Sequence, residues 1–180
     1  MALVEPFVFQ VAGYQNSGKT TLINQLIESL SNRGIKTVTI KHHGHGGKPD
    51  VTEQKDSASH IRSGAIASLV EGSGRVVLQA DNQELTLEGQ IGLLKFFQPD
   101  VIIVEGYKKE NYPKLVIVKG KDDLQLIKSL TQICTMVYWD KEVIRDHLYP
   151  SFSIKDKEGI INWTTEFIMK KIVHKKDEKS

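Results

Sequence analysis

Hydrophobic and polar positions along this chain follow two rhythms. FVFQVA (7–12) is a short apolar run with aromatic and β-branched residues, which predicts a buried strand. Over residues 19–33 the rhythm turns helical, with Leu22, Ile23, Leu26, Ile27 and Leu30 on one stripe. Gly34 stands where such a helix ends in the left-handed conformation. KTVTI (36–40) is the next predicted strand. A strand, a helix and a strand in that order imply a parallel sheet covered by helices.

Further along, DSASHIRSGA (56–65) predicts a short helix with Asp56 as its N-cap. AIASLV (65–70) and RVVLQA (75–80) flank EGSG and predict an antiparallel hairpin. ELTLEGQIGLLKFF (84–97) is expected to be helical in its second half. DVIIVEGY (100–107), KLVIVK (114–119) and QICTMVYW (132–139) predict three more strands, and residues 157–173 a closing amphipathic helix. The expected fold class is α/β: a mostly parallel sheet flanked by helices, with an added antiparallel β-hairpin. One domain over residues 1–174 is expected, with a flexible tail over 175–180.

Composition narrows the picture only a little. The 180 residues suffice for one domain with a real core, and 39% hydrophobic with 26% charged residues is ordinary for a globular protein. A net charge of +2 is too small to argue for nucleic acid or membrane as partner. The basic cluster KKIVHKKDEKS (170–180) reads as a helix end passing into a solvated tail. The single cysteine, Cys134, lies in an apolar run and reads as a strand residue in a reducing compartment. No apolar stretch reaches the roughly 20 residues of a membrane span. The start MALVEPFVFQ lacks the features of a secretory signal, so the cytoplasm is the expected location.

The strongest motif is GYQNSGKTT (13–21), in which Gly13, Gly18, Lys19 and Thr20 satisfy G-x-x-x-x-G-K-[ST]. An apolar strand precedes it and an amphipathic helix starts at it, so the context is that of a P-loop NTPase. Glycines let successive backbone N–H groups turn inward on a phosphate, and the helix adds its positive end. Lys19 supplies a cation to the β- and γ-phosphates, and the Thr20 hydroxyl suits Mg²⁺. Such a loop needs an acid on the metal side, and Glu105 closes an apolar strand at the edge where ligands bind. Asp100 begins the same strand and belongs at the far edge.

TIKHHGHGGKPD (39–50) crowds His42, His43 and His45 together. A zinc site is improbable there, because the loop is rich in glycine and the only cysteine is remote. A segment after the second strand of a P-loop fold can respond to the γ-phosphate. Lys41 and His42, or Asp50 and Asp56 further on, would then face phosphate, metal or water. His43 and His45 read as a mobile surface loop.

GYQNSGKTTL (13–22), IKHHGH (40–45), KDSASHIRSGA (55–65) and VIIVEGYK (101–108) together resemble the MobB-type proteins of molybdopterin-guanine dinucleotide biosynthesis. The order and spacing match from residue 7 to about 119. The resemblance implies GTP and Mg²⁺ as ligands, hydrolysis that is slow at best, and a MobA-type guanylyltransferase as partner, which joins GMP to molybdopterin. It leaves open whether molybdopterin binds this chain directly. It implies an intertwined homodimer, with the hairpin at 65–80 as the candidate element; a hairpin that only completes its own sheet is the equal alternative. It implies nucleotide contacts along Gly13, Asn16, Ser17, Gly18, Lys19, Thr20 and Thr21, with Thr20 and Glu105 on the metal. Lys41 and His42 match positions after the second strand, and Asp56 and Arg62 match the family's short helix. Lys41, His42 and Asp56 are the candidates for a part in hydrolysis. Arg62 would pair with a phosphate or with Asp56.

One departure concerns the base. No N-K-x-D segment is present to read guanine; YWDK (138–141) and KDKEG (155–159) are the nearest. No glutamine or arginine is placed by motif to orient water, which agrees with slow turnover. Two rival readings stay open at this point. A small-molecule kinase would need an arginine-bearing lid, and residues 107–130 hold lysines but no arginine. A nucleotide-gated nickel metallochaperone would want a Cys/His motif, and only histidines are available.

Overall fold

The computed structural model of the chain describes residues 5–42, 56–81, 85–144 and 149–177. His43, His45 and Asp50 of the histidine-rich loop lie outside the described residues, and of Asp56 only the backbone is described. Two compact units form, one from residues 1–44 with 91–180 and one from residues 45–90.

The first unit is built on a six-stranded sheet. Its strands are β1 (Phe7–Gly13), β2 (Thr37–Lys41), β5 (Val101–Glu105), β6 (Lys114–Val118), β7 (Ile133–Tyr138) and β8 (Ser151–Ser153), in the order β2-β5-β1-β6-β7-β8. Every neighbouring pair is parallel. β1 is central and buried along its whole length, which is why FVFQVA carries no two-faced alternation.

Helices cover both faces. On one face α1 (Lys19–Ser31) and α5 (Lys157–Asp177) press Leu22, Leu26, Leu30, Ile160 and Ile168 against Phe9, Val11 and Ile103. On the other, α4 (Leu124–Ser129) packs Leu126 and Ile127 against Ala12, Val116 and Met136. α1 closes as its sequence suggests: Gly34 has φ 73° and its N–H donates to the Ser31 carbonyl at 2.9 Å. α5 runs past the expected end to Asp177. β8 has three residues, too few for an apolar run to mark it along the chain.

The second unit holds α2 (Asp56–Arg62) against a two-stranded sheet of β3 (Ala67–Gly72) and β4 (Arg75–Ala80). The pairing is antiparallel, Leu69 opposite Leu78 and Gly72 opposite Arg75. The strands run further into EGSG than its composition suggests. Only Ser73 and Gly74 make the turn, at φ 51° and 78°, the two positive values of a hairpin turn that matches strand twist. α3 (Leu87–Leu94) spans the division between the units. The α/β class, the parallel sheet and the added hairpin are as the sequence predicts.

Candidate functional site

The candidate site lies at the carboxyl edge of the sheet, where β1, β5 and β2 end side by side. The register sets Val11 beside Glu105 and Glu105 beside Lys41. The chain leaving β1 turns at once into the loop Gly13–Thr20. That turn depends on Gly13: a Cβ there would stand 2.8 Å from Ser17 Oγ and 3.0 Å from the Ile117 carbonyl oxygen. Gly18 sits at φ 100° in the left-handed region and opens α1, with no side-chain hydrogen bond capping the helix. Gly18 has no side chain to cap the first N–H groups of α1, which stand at the loop with the positive end of the helix dipole.

Four side chains converge beside this loop. Thr20 Oγ1 donates to Glu105, 3.1 Å from Oε1 and 3.2 Å from Oε2. Lys41 Nζ is 3.6 Å from Glu105 Oε2 and 3.4 Å from Thr20 Oγ1. Lys19 reaches back over the loop and donates to the Tyr14 carbonyl at 2.7 Å. Burial pushes the Lys19 ammonium below the usual lysine pKa; Glu105 opposes that shift, and Lys108 and Lys41 add to it.

The structure separates the other sequence candidates. Ser17 is fully buried and its Oγ has no hydrogen-bond partner among the described residues, so only its backbone is left to meet a ligand. Asn16 lies exposed at φ 56°, and Thr21 is exposed in the first turn of α1. His42 follows β2, donates its N–H to the Glu105 carbonyl at 2.9 Å, and packs its ring 4.5 Å from that of Tyr107. Asp56 begins α2 and Arg62 ends it, both in the second unit. Asp100 stands at the far edge of β5, where its Oδ2 accepts the Lys36 N–H at 2.9 Å. Lys114, one of the lysines within residues 107–130, is buried and donates to the Glu110 and Thr131 carbonyls at 2.9 and 2.7 Å. It closes the loop before β6 and is not available to an acceptor.

Two contributors carried no motif. Gln10, an amide within the apolar β1, donates its Nε2 to the Gly106 carbonyl at 2.6 Å and also to the Tyr107 carbonyl. It ties down the turn after Glu105, in which Gly106 has φ 92° and Tyr107 φ 48°. A Cβ on Gly106 would meet His42 Cβ at 3.1 Å, so glycine also lets β2 and β5 end close together. The lone polar residue in a buried strand was the available signal, since a buried amide needs a partner. The second contributor is Trp139, whose Nε1 donates to the Ser17 carbonyl at 3.1 Å.

The residues fit a nucleoside triphosphate with Mg²⁺. A hydroxyl and a carboxylate side by side are hard oxygen donors, and Mg²⁺ takes few protein ligands, filling the rest with phosphate oxygens and water. Among the described residues no three His, Cys, Asp or Glu side chains are grouped to hold a metal. No helix of the described residues is long and apolar enough to cross a membrane.

The family model of molybdopterin guanine dinucleotide synthesis protein B matches residues 8–139. A Bacillus subtilis (strain 168) protein named Probable molybdopterin-guanine dinucleotide biosynthesis adapter protein is 42% identical over 149 residues, covering 82% of this chain and 85% of its own length. The crystal structure of Bacillus subtilis MobB superposes with a TM-score of 0.74 at 39% identity, over 85% of this chain and 93% of that one. A MobB homolog from Bacillus stearothermophilus gives 0.75 at 29% identity, over 91% and 98%.

Proposed function

This chain belongs to the molybdopterin guanine dinucleotide synthesis protein B family, and from that premise we propose that it is a GTP-binding adapter in molybdenum cofactor biosynthesis. It works in the cytoplasm beside a MobA-type guanylyltransferase and assists the joining of GMP to molybdopterin. The observation that carries the nucleotide part is the convergence of Lys19, Thr20 and Glu105 on the loop Gly13–Thr20.

In this reading the loop's backbone N–H groups and the Lys19 ammonium bind the phosphates. Thr20 and Glu105 hold Mg²⁺, which neutralises charge on the terminal phosphates. Lys41, already against Glu105, adds a second cation to the same end. Hydrolysis is slow, because the motif places no glutamine or arginine against the attacking water. The functional unit is a homodimer. Its support is the β3–β4 hairpin, which leaves Ile66 84%, Leu69 62% and Leu78 46% exposed. An apolar two-stranded sheet so exposed is marginal alone and suits a partner surface.

Adding this protein to a guanylyltransferase with GTP, Mg²⁺ and molybdopterin is expected to raise the yield of the dinucleotide several-fold. An unchanged yield would remove the adapter role. Calorimetry is expected to show at least about tenfold preference for GTP over ATP, and equal affinities would leave only a general nucleotide site.

Glu105→Gln tests the metal assignment separately. Glutamine keeps a polar partner for Thr20 but removes the charge. The gain in GTP affinity on adding Mg²⁺ is expected to shrink about tenfold or more, while affinity in EDTA stays level or rises as a carboxylate near the phosphates is lost. The same Mg²⁺ gain in both proteins would take Glu105 off the metal.

A further inference from the structure

We propose that Trp139 is the platform on which the base of the bound nucleotide stacks. The inference rests on the nucleotide reading above and adds the direction in which the nucleoside leaves the loop. Thr20, Glu105 and Lys41 meet on the β5–β2 side of β1. Terminal phosphates held there send the nucleoside the other way, across the ends of β6, β7 and β8.

Trp139 stands at that end. It follows β7 directly, its backbone N–H donates to the Val118 carbonyl at 3.0 Å, and its indole N–H donates to the Ser17 carbonyl at 3.1 Å. The ring is thus pinned to the loop at one edge and remains 50% exposed. Ile154, just after β8, supports the next residue of the loop: its Cδ1 lies 3.8 Å from where a Cβ on Gly18 would stand. Lys119 Nζ lies over the Trp139 ring at 5.9 Å from its centre, further off than Lys108 Nζ lies from the Tyr14 ring, and adds positive charge there.

Other exposed aromatic rings of the first unit are poorly placed. Phe96 and Phe97 precede β5 and Tyr149 precedes β8, so they sit by the opposite edge of the sheet. Tyr14 lies at the loop, but Lys108 Nζ already covers its ring at 4.0 Å, and Lys108 follows β5 on the metal side. Among the described exposed rings of the first unit, Trp139 alone stands on the nucleoside side of the loop. Stacking accepts any base, so this platform supplies affinity and not the choice of guanine.

The test titrates Mg-GTP, Mg-ATP and Mg-tripolyphosphate into the unaltered protein, Trp139→Ala and Trp139→Phe. Trp139→Ala is expected to weaken GTP and ATP about tenfold or more, by the same factor, and to change tripolyphosphate affinity less than twofold. Trp139→Phe keeps a ring without the N–H and is expected to recover most of the GTP affinity. It decides the matter alone if tripolyphosphate binds too weakly to titrate. Equal weakening of GTP and tripolyphosphate, or no recovery by phenylalanine, would overturn the inference, because Trp139 would then only brace the loop. Unchanged GTP affinity in Trp139→Ala would overturn it too. An unaltered protein that binds none of the three ligands would instead bring down the nucleotide reading, and this inference with it.

Discussion

Lys19→Ala is expected to lower GTP affinity by roughly a hundredfold, with the fold intact. A hydrogen bond to a charged group is worth about 1.5–3 kcal/mol, and about 1.4 kcal/mol is tenfold in affinity. One ammonium shared between two phosphates therefore supports a loss of that size. Among the described residues the side chain donates across the loop to the Tyr14 carbonyl, so its removal should leave the melting temperature nearly unchanged. Calorimetry reads the affinity and a thermal melt reads the fold. Undiminished GTP binding would end the phosphate-loop assignment.

The same lysine predicts a pH dependence. Burial holds its pKa below the ordinary value before nucleotide arrives. Phosphates favour the charged form and raise it. Between the two values, binding takes up a proton, so affinity falls as pH rises through that interval. The interval starts lower than for an exposed lysine, since the free-protein pKa is depressed. Lys19→Ala should abolish this proton uptake, measured as binding heat in buffers of different ionisation enthalpy.

Leu78→Glu is expected to convert a dimer into a monomer, weakening association by more than about a hundredfold. Leu69 and Leu78 face each other across the hairpin, and Val70 and Val77 form the next pair on its other side. All four are exposed in the single chain. A carboxylate set beside Leu69 costs several kcal/mol if a second chain buries it unpaired, and almost nothing if water covers it. Sedimentation of the unaltered protein as a monomer would remove the homodimer; dimers in both proteins would place the interface elsewhere. This result is independent of the Lys19 test, because Lys19 and the hairpin belong to different compact units.

The helix α1, its start at Gly18 and its end at Gly34, the central β1, and the antiparallel pairing of the hairpin follow from local signals. Periodicity, glycine at positive φ and turn chemistry act over a few residues, so they are written in order along the chain. The residue types of the phosphate loop and the strand-end Glu105 are legible for the same reason. What the sequence could not state is which groups meet. Thr20 and Glu105 are 85 positions apart, Gln10 and Gly106 are 96 apart, and Ser17 and Trp139 are 122 apart. Those meetings depend on the strand order β2-β5-β1-β6-β7-β8, which hydrophobic spacing does not encode. The sequence placed Ser17 among the ligand-binding residues by motif, whereas only the folded chain shows its hydroxyl buried beside Gly13 and its carbonyl engaged by Trp139. The chain by itself determined the elements and the chemistry of the loop; tertiary packing decided which distant side chains that loop can use, because a parallel sheet brings strand ends together regardless of their separation along the chain.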